Sequence, residues 1–225
     1  MKLTSVEKSL QVIDLLSQTP QGLSLSEISS MMGLPRSSVH HILSTFLPRD
    51  YVAQDPETKK YSLGFKFLSI SSAILNNLDI RKTAFGHLRN LHQECSETVN
   101  LYLLRDGRIT LIDKIQKVGG LSLDTYVGFS TEPHSAASGK VLLAGLPRSE
   151  IQRMYGARAL GNYGPHTITG VDQLLAELDK VREQGYAIDN EEHYEGVRCV
   201  AAPIRAGRGV VAAVSITGSV FTMTL

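Results

Sequence analysis

The sequence predicts an α+β protein with a winged helix-turn-helix at its N-terminus, a connecting helix, and a larger domain of mixed hairpins and helices. Three observations carry that reading. Two capping boxes, Thr4–Glu7 and Ser24–Glu27, mark helix starts in the first thirty residues. A third apolar stripe follows the second helix after a single Gly-containing turn, the spacing of a helix-turn-helix. From Thr98 onward the apolar period falls toward two, with an Asp106-Gly107 turn between apolar runs.

The elements follow in order. After Thr4, Val6, Leu10 and Ile13 lie at helical spacing, and Pro20 with Gly22 ends the segment. Leu25, Ile28, Met31 and Met32 supply the expected buried stripe of the second helix, which Gly33 stops. Pro35 suits the first position of a third helix, in which Val39, Ile42, Leu43 and Phe46 form the inner face before Pro48. Tyr51–Gln54 and Lys59–Leu63 are expected to pair around an Asp-Pro-Glu-Thr turn, making the wing. Leu63 to Leu78 carries Phe67, Ile70 and Ile74 at spacings of three or four, an amphipathic connector suited to a core or to a dimer contact. Asp79 is expected to cap the next helix. Thr98–Leu104 and Arg108–Ile115 read as a hairpin, Ala137–Leu143 and Ile151–Tyr155 as short helices. Val171, Leu174, Leu175, Leu178 and Val181 make a clean helical stripe closed by Gly185, and three strands follow at Tyr186–Asp189, Cys199–Ile204 and Val210–Thr217.

Composition narrows the function classes. The longest apolar stretches fall far short of the roughly 18 residues of a membrane span, so no membrane partner is expected. The opening MKLTSVEKSLQ lacks an apolar run behind a basic end, and two cysteines, Cys95 and Cys199, suit a reducing cytoplasm. Net charge is +1 from 23 basic and 22 acidic residues, so nucleic-acid binding must rest on local placement rather than bulk basicity. That placement exists. The third helix exposes Pro35, Arg36, Ser37, Ser38, His40, His41, Ser44 and Thr45, with no acidic residue among them, and Lys59 and Lys60 stand on the wing. These residues point to double-stranded DNA, with the third helix in the major groove and the wing lysines on the backbone.

Together the winged helix-turn-helix, the segment from His134 to Ala144, and the runs Gly185–Glu192 and Gly196–Ile204 resemble the IclR family of bacterial transcriptional regulators over nearly the whole chain. The resemblance implies a DNA-binding domain over 1–64, a linker helix over 65–78, and a GAF-like effector-binding domain over 79–225. It also implies a homodimer or dimer of dimers on a partly palindromic operator, whose binding a small metabolite modulates. Members continue into a final amphipathic helix, so that helix is expected to be missing from a chain that stops at Leu225. Position by position, the family's effector pocket falls at Ala137, Ser138, Asp189, Val197, Cys199, Ser215 and Thr217. No lysine or arginine stands at a matched position, so an acid is expected to be held by hydroxyls and helix N–H groups. The class expected is a small mono-anionic hydroxy- or keto-acid.

Other chemistries are disfavoured. Ser138-Gly139-Lys140 lacks the remaining residues of a phosphate loop, and no Gly-x-Ser-x-Gly elbow exists. No His-x-x-x-His pair occurs, and His40 and His41 point about 100° apart on a helix, so no metal or other cofactor is expected. Glu191 and Glu192 are expected on a solvated turn, Cys199 as a packed thiol rather than a redox sensor, and His134 in a structural role. The chain is therefore expected to be a regulator and not an enzyme. The rival is a small-molecule enzyme or sensor whose N-terminal domain serves only oligomerisation.

Overall fold

The computed structural model describes residues 4–121, 123–156, 159–207 and 209–224. They divide into two compact units, Met1–Asn77 and Leu78–Leu225.

The first unit packs three helices, α1 (Ser5–Ser17), α2 (Leu25–Met32) and α3 (Arg36–Phe46), against a hairpin of β1 (Val52–Gln54) and β2 (Tyr61–Leu63), followed by α4 (Lys66–Asn76). Both capping boxes form. Thr4 and Ser24 hydroxyls accept from the backbone N–H groups of Glu7 and Glu27, whose carboxylates accept from the cap N–H groups in return. Gly33 stops α2 in the left-handed region, which glycine adopts without a Cβ penalty. The core joins Val12, Leu16, Ile28, Val39, Leu43, Val52 and Tyr61.

Three expected core positions turn outward. Val6 and Leu10 are 66% and 56% exposed, because α1 meets its neighbours through Val12, Leu15 and Leu16, one helical face further round. Met31 is 62% exposed, since the eight-residue helix meets the core through Leu25, Ile28 and Met32. The wing has a strand segment the pattern did not suggest. Leu23, just before α2, exchanges two backbone hydrogen bonds with Tyr61 on β2 and ties the hairpin to the helices.

The second unit begins with α5 (Asp79–Cys95), whose N-cap is Leu78 and not Asp79. A six-stranded antiparallel sheet follows, built from β3 (Thr98–Arg105), β4 (Arg108–Ile115), β5 (Ser130–Thr131), β6 (Ala187–Asn190), β7 (Val197–Ala206) and β8 (Gly209–Ser219). Its strand order is β5-β4-β3-β8-β7-β6. Between β5 and β6 the chain forms α6 (Ala137–Ala144), α7 (Arg148–Tyr155) and α8 (Val171–Gln184).

Alternation along each strand sorts the sheet into two faces. Val99 and Leu101 of β3, Ala212 and Val214 of β8 and Ile204 of β7 pack with Ala84 and Leu88 of α5. The opposite face carries Ala213 of β8 and Ala201 of β7 against Ala137, Val141 and Leu142 of α6. Leu143 turns outward from the sheet to join Ile151 and Tyr155 of α7 and Leu174 and Leu178 of α8. Helix α6 is thus buried on all sides, a layer between sheet and outer helices. No described helix is long and apolar enough to cross a membrane.

Candidate functional site

On α3 the helical period that turns Val39, Ile42 and Leu43 inward turns Arg36, Ser37, His40, His41 and Ser44 outward, with Ser38 at the margin. Pro35 is the N-cap, and no acidic side chain lies in the first turn. Ser44 and Thr45 donate their hydroxyl hydrogens to the His41 carbonyl, each at 2.9 Å, leaving their oxygens as outward acceptors. The wing lysines are unlike one another. Lys59 is exposed at the hairpin tip with a φ of 58°. Lys60 is half-buried near Glu27, whose carboxyl is held low by hydrogen bonds from Ser24 and further by the Lys60 charge.

The second unit holds a cavity of about 50 Å³, open to solvent at its mouth, between the α6 face of the sheet and the start of that helix. All seven pocket positions expected from the sequence line it: Ala137, Ser138, Asp189, Val197, Cys199, Ser215 and Thr217. Strand register explains why. Asp189, Cys199, Thr217 and Thr98 stand side by side across β6, β7, β8 and β3, and Ser215, Asn100 and Lys114 form the next row across β8, β3 and β4. Tyr102, two residues beyond Asn100, extends the same face.

Some of these polar groups are committed to one another and some are not. Asn100 donates its Nδ2 hydrogen to Thr217 Oγ1 at 3.1 Å, and the Cys199 sulfur lies 3.3 Å from the same oxygen. Asn100 Oδ1 is buried without a hydrogen-bond partner. Ser138 and Ser215, both buried, spend their hydroxyls on no described protein group. Buried polar groups in native proteins are nearly always paired, so a cavity lined with uncommitted ones is built for a polar occupant.

Helix α6 reaches the cavity at its N-terminus, where Ala136 caps it without a side-chain hydrogen bond. Its first N–H groups are therefore available to an acceptor. Gly139 explains the Ser-Gly-Lys sequence. A Cβ there would stand 2.0 Å from the Pro133 carbonyl oxygen, so only glycine lets the helix lie against that turn. Lys140, 1% exposed, points away from the cavity. It spends its three donors on Glu192 Oε1 (2.6 Å), Glu177 Oε1 (3.1 Å) and the Ile188 carbonyl (2.5 Å). Glu192 consequently lies buried beside Lys140 rather than on the solvated turn expected of it. A charge so deep needs a partner, and Lys140, fifty-two residues away in sequence, was not visible as one.

Electrostatics follow from this burial. Asp189, 3% exposed, has its carboxyl pushed up to about 7 by desolvation and by the Glu192 charge, against a hydrogen bond from the Glu192 N–H at 2.8 Å. Burial likewise holds the Cys199 thiol and the Tyr102 phenol far above their ordinary values, so both stay protonated. A protonated thiol is a poor nucleophile, in keeping with a packed Cys199. Burial and nearby His134 lower His193, which lines the cavity, accepts or donates at Ser135 Oγ (2.8 Å), and stacks on Tyr163 at 4.8 Å. His134 itself is structural, with Nε2 2.9 Å from the Gly161 carbonyl.

Several cavity residues escaped sequence reasoning. Asn100 and Tyr102 carried a findable signal, since they alternate with Val99 and Leu101. Leu121, Leu123, Thr125 and Phe129 come from the segment between β4 and β5, which the sequence pattern assigned to no element. Lys114, which is not one of the matched positions, also lines the cavity and adds a cation to a lining expected to offer hydroxyls and helix N–H groups.

Residues 72–224 match the family described as bacterial transcriptional regulator IclR C-terminal, and residues 5–56 match the IclR helix-turn-helix domain. The HTH-type transcriptional regulator XynR of Escherichia coli (strain K12) is 35% identical over 216 residues, spanning 95% of this chain and 85% of the relative. The crystal structure of Thermotoga maritima IclR is 31% identical with a TM-score of 0.81, over 98% of this chain and 89% of that one. An IclR homologue from Microbacterium hydrocarbonoxydans, complexed with 4-hydroxybenzoate, shares the fold at a TM-score of 0.85 and 19% identity, over 96% and 89% of the two chains.

Proposed function

The chain belongs to the IclR family of bacterial transcriptional regulators, and from that premise we propose that its operator binding is set by a small hydroxy- or keto-acid held in the sheet–helix cavity. A DNA-binding transcriptional regulator is what the family and its relatives have in common. In this reading residues 1–64 engage DNA, 65–78 link the two functions, and 79–225 bind the effector without converting it. Pro35, Arg36, Ser37, Ser38, His40, His41 and Ser44 meet the major groove, and Lys59 and Lys60 the backbone. The protein works in the cytoplasm as a homodimer or dimer of dimers on a partly palindromic operator.

The observation that carries the effector reading is the set of uncommitted polar groups that face one another across the cavity, from the sheet and from the start of α6. Ser138, Ser215, the Asn100 carbonyl oxygen and the free N–H groups of α6 offer both donors and acceptors. Partial dipoles at a helix N-terminus favour an anion, and hydroxyls suit either a carboxylate or a ligand hydroxyl. Asp189 is half neutral near pH 7 and so tolerates one negative charge nearby while disfavouring a second.

Two measurements test this together. Thermal-shift screening of lactate, glycerate, pyruvate and 4-hydroxybenzoate should find stabilisation of about 2.7 kcal/mol at a hundred times the dissociation constant. The ligand found should then change retardation of a promoter fragment from the protein's own gene neighbourhood. Ser215→Ala should weaken the acid and leave ligand-free retardation intact. Stabilisation only by cations or bulky neutral aromatics, with Ser215→Ala silent, would remove the acid reading.

A further inference from the structure

We infer that Lys114 is the charge-bearing anchor of the cavity, so that the ligand's carboxylate turns toward β4 and its hydroxyl or keto oxygen toward Ser215 and Asp189. The inference rests on the reading of this cavity as the effector site and names the residue that decides ligand charge.

The position of Lys114 depends on an irregularity in the sheet. Leu111 pairs with Tyr102, yet Asp113 pairs with Leu101 and Lys114 with Asn100, so Ile112 is an extra residue on β4. A bulge of this kind reverses which face the following side chains take. Without it, alternation from Ile109 and Leu111 would send Asp113 into the cavity and Lys114 to the α5 face. With it, Asp113 turns to α5, where Arg81 Nε lies 3.2 Å from its Oδ2, and Lys114 turns to the cavity.

Lys114 is the single lysine or arginine among the described residues lining the cavity. Its Nζ donates to Thr125 Oγ1 (3.1 Å) and the Thr125 carbonyl (2.9 Å), two neutral acceptors, leaving one of three donors uncommitted. Among the described residues no carboxylate forms an ion pair with it, whereas buried Lys140 has two. An ammonium drawn partly out of water gains most from a charged acceptor. Burial already lowers its proton affinity, against a weak pull from Asp124.

Geometry then orients the ligand. Lys114, Asn100 and Ser215 occupy one cross-strand row, so Lys114 and Ser215 are two strand spacings apart, about 10 Å between backbones. A flexible lysine side chain shortens that gap to the length of a few-carbon acid. Asp189 lies four strands from β4, at the end a carboxylate avoids and a hydroxyl does not. Because Thr125 belongs to the segment bearing Leu121, Leu123 and Phe129 over the cavity, an acid on Lys114 also touches the group that holds this segment in place.

The test pairs each acid of the panel with its carboxamide in calorimetric titration of the full chain. Wild type should prefer the acid. Lys114→Met should lower acid affinity roughly ten- to a hundredfold and erase the preference, while Lys114→Arg should retain it. Thr125→Val, which removes one contact to the covering segment but keeps the ammonium, should leave the preference in place. Unchanged acid affinity in Lys114→Met, or equal loss in Thr125→Val, would overturn the anchor role and leave the effector reading standing. If wild type binds no acid of the panel, the effector reading itself falls and this inference with it.

Discussion

Asp189 connects burial to a measurable pH response. Its folded-state value of about 7 lies well above the ordinary 3.8, chiefly because the carboxylate is desolvated. Raised acid values mean that the native state binds a proton the unfolded chain has released, so this group's contribution is intact at low pH and is lost as pH rises toward 7. An anionic ligand meets the same titration from the other side. Below pH 7 the carboxyl is neutral, and above it a negative charge appears in the cavity. Acid affinity should therefore fall as pH rises through about 7, by at most about tenfold per unit. Around it His193 is lowered and Cys199 and Tyr194 are raised, while burial also raises Glu192, against its pairing with Lys140, and lowers Lys114, so the variant decides which group carries the slope. Asp189→Asn should flatten the profile, and titrations at pH 6, 7 and 8 would read it. A slope that survives in the variant would place the proton elsewhere.

At the scale of elements, α6 and α7 test opposite limits of ion pairing. Lys140 anchors α6 to Glu192 and to Glu177 of α8 from a fully buried position. Lys140→Met keeps the volume but strands the buried Glu192 carboxylate, and should destabilise the second unit by about 3 to 5 kcal/mol in urea unfolding. Arg148→Ala, breaking the exposed pair with Asp179, should cost about 0 to 1 kcal/mol. Similar losses in the two variants would mean that Lys140 matters for packing alone. On the DNA side, two or three phosphate contacts per subunit give a dimer a log–log salt slope of about −4 to −5. Removing Lys59 and Lys60 together should flatten it and weaken all sequences alike, with the greater share from exposed Lys59. Arg36→Ala should relax base preference as well, if it reads guanine. Unaltered binding in both variants would move the interface off these surfaces.

For the whole molecule, the function requires that two separately packed units exchange free energy. Ligand and operator affinities are then linked, and the factor by which operator changes ligand binding equals the factor by which ligand changes operator binding. The connector α4 is suited to carry this, since none of its residues is buried and Leu68 and Ile74 stand open on its surface. Calorimetric titration of the effector with and without operator should give different dissociation constants. Identical constants would mean that the ligand does not regulate DNA binding, because equal affinity for two states shifts neither.

Local signals in the sequence determined the helices and wing of the first unit and the β3–β4 hairpin, whereas the seven cavity positions came from the resemblance to the IclR family. Capping boxes, an Asp-Gly turn and strict alternation act within a few residues, where chain connectivity already places the partners together. The β7–β8 register, seen only in the structure, turns Ser215 and Thr217 to the same face as Cys199. Helix phase was legible less well, as Val6, Leu10 and Met31 show, because an apolar stripe does not state which part of it a neighbour will cover. Only the tertiary structure decided the charges. Lys140 finds Glu192 across fifty-two residues, and Asp189 acquires its raised proton affinity from the layer packed over it. Lys114 faces the cavity because one extra residue on β4 reverses the alternation, and whether a strand bulges depends on the register its partner imposes.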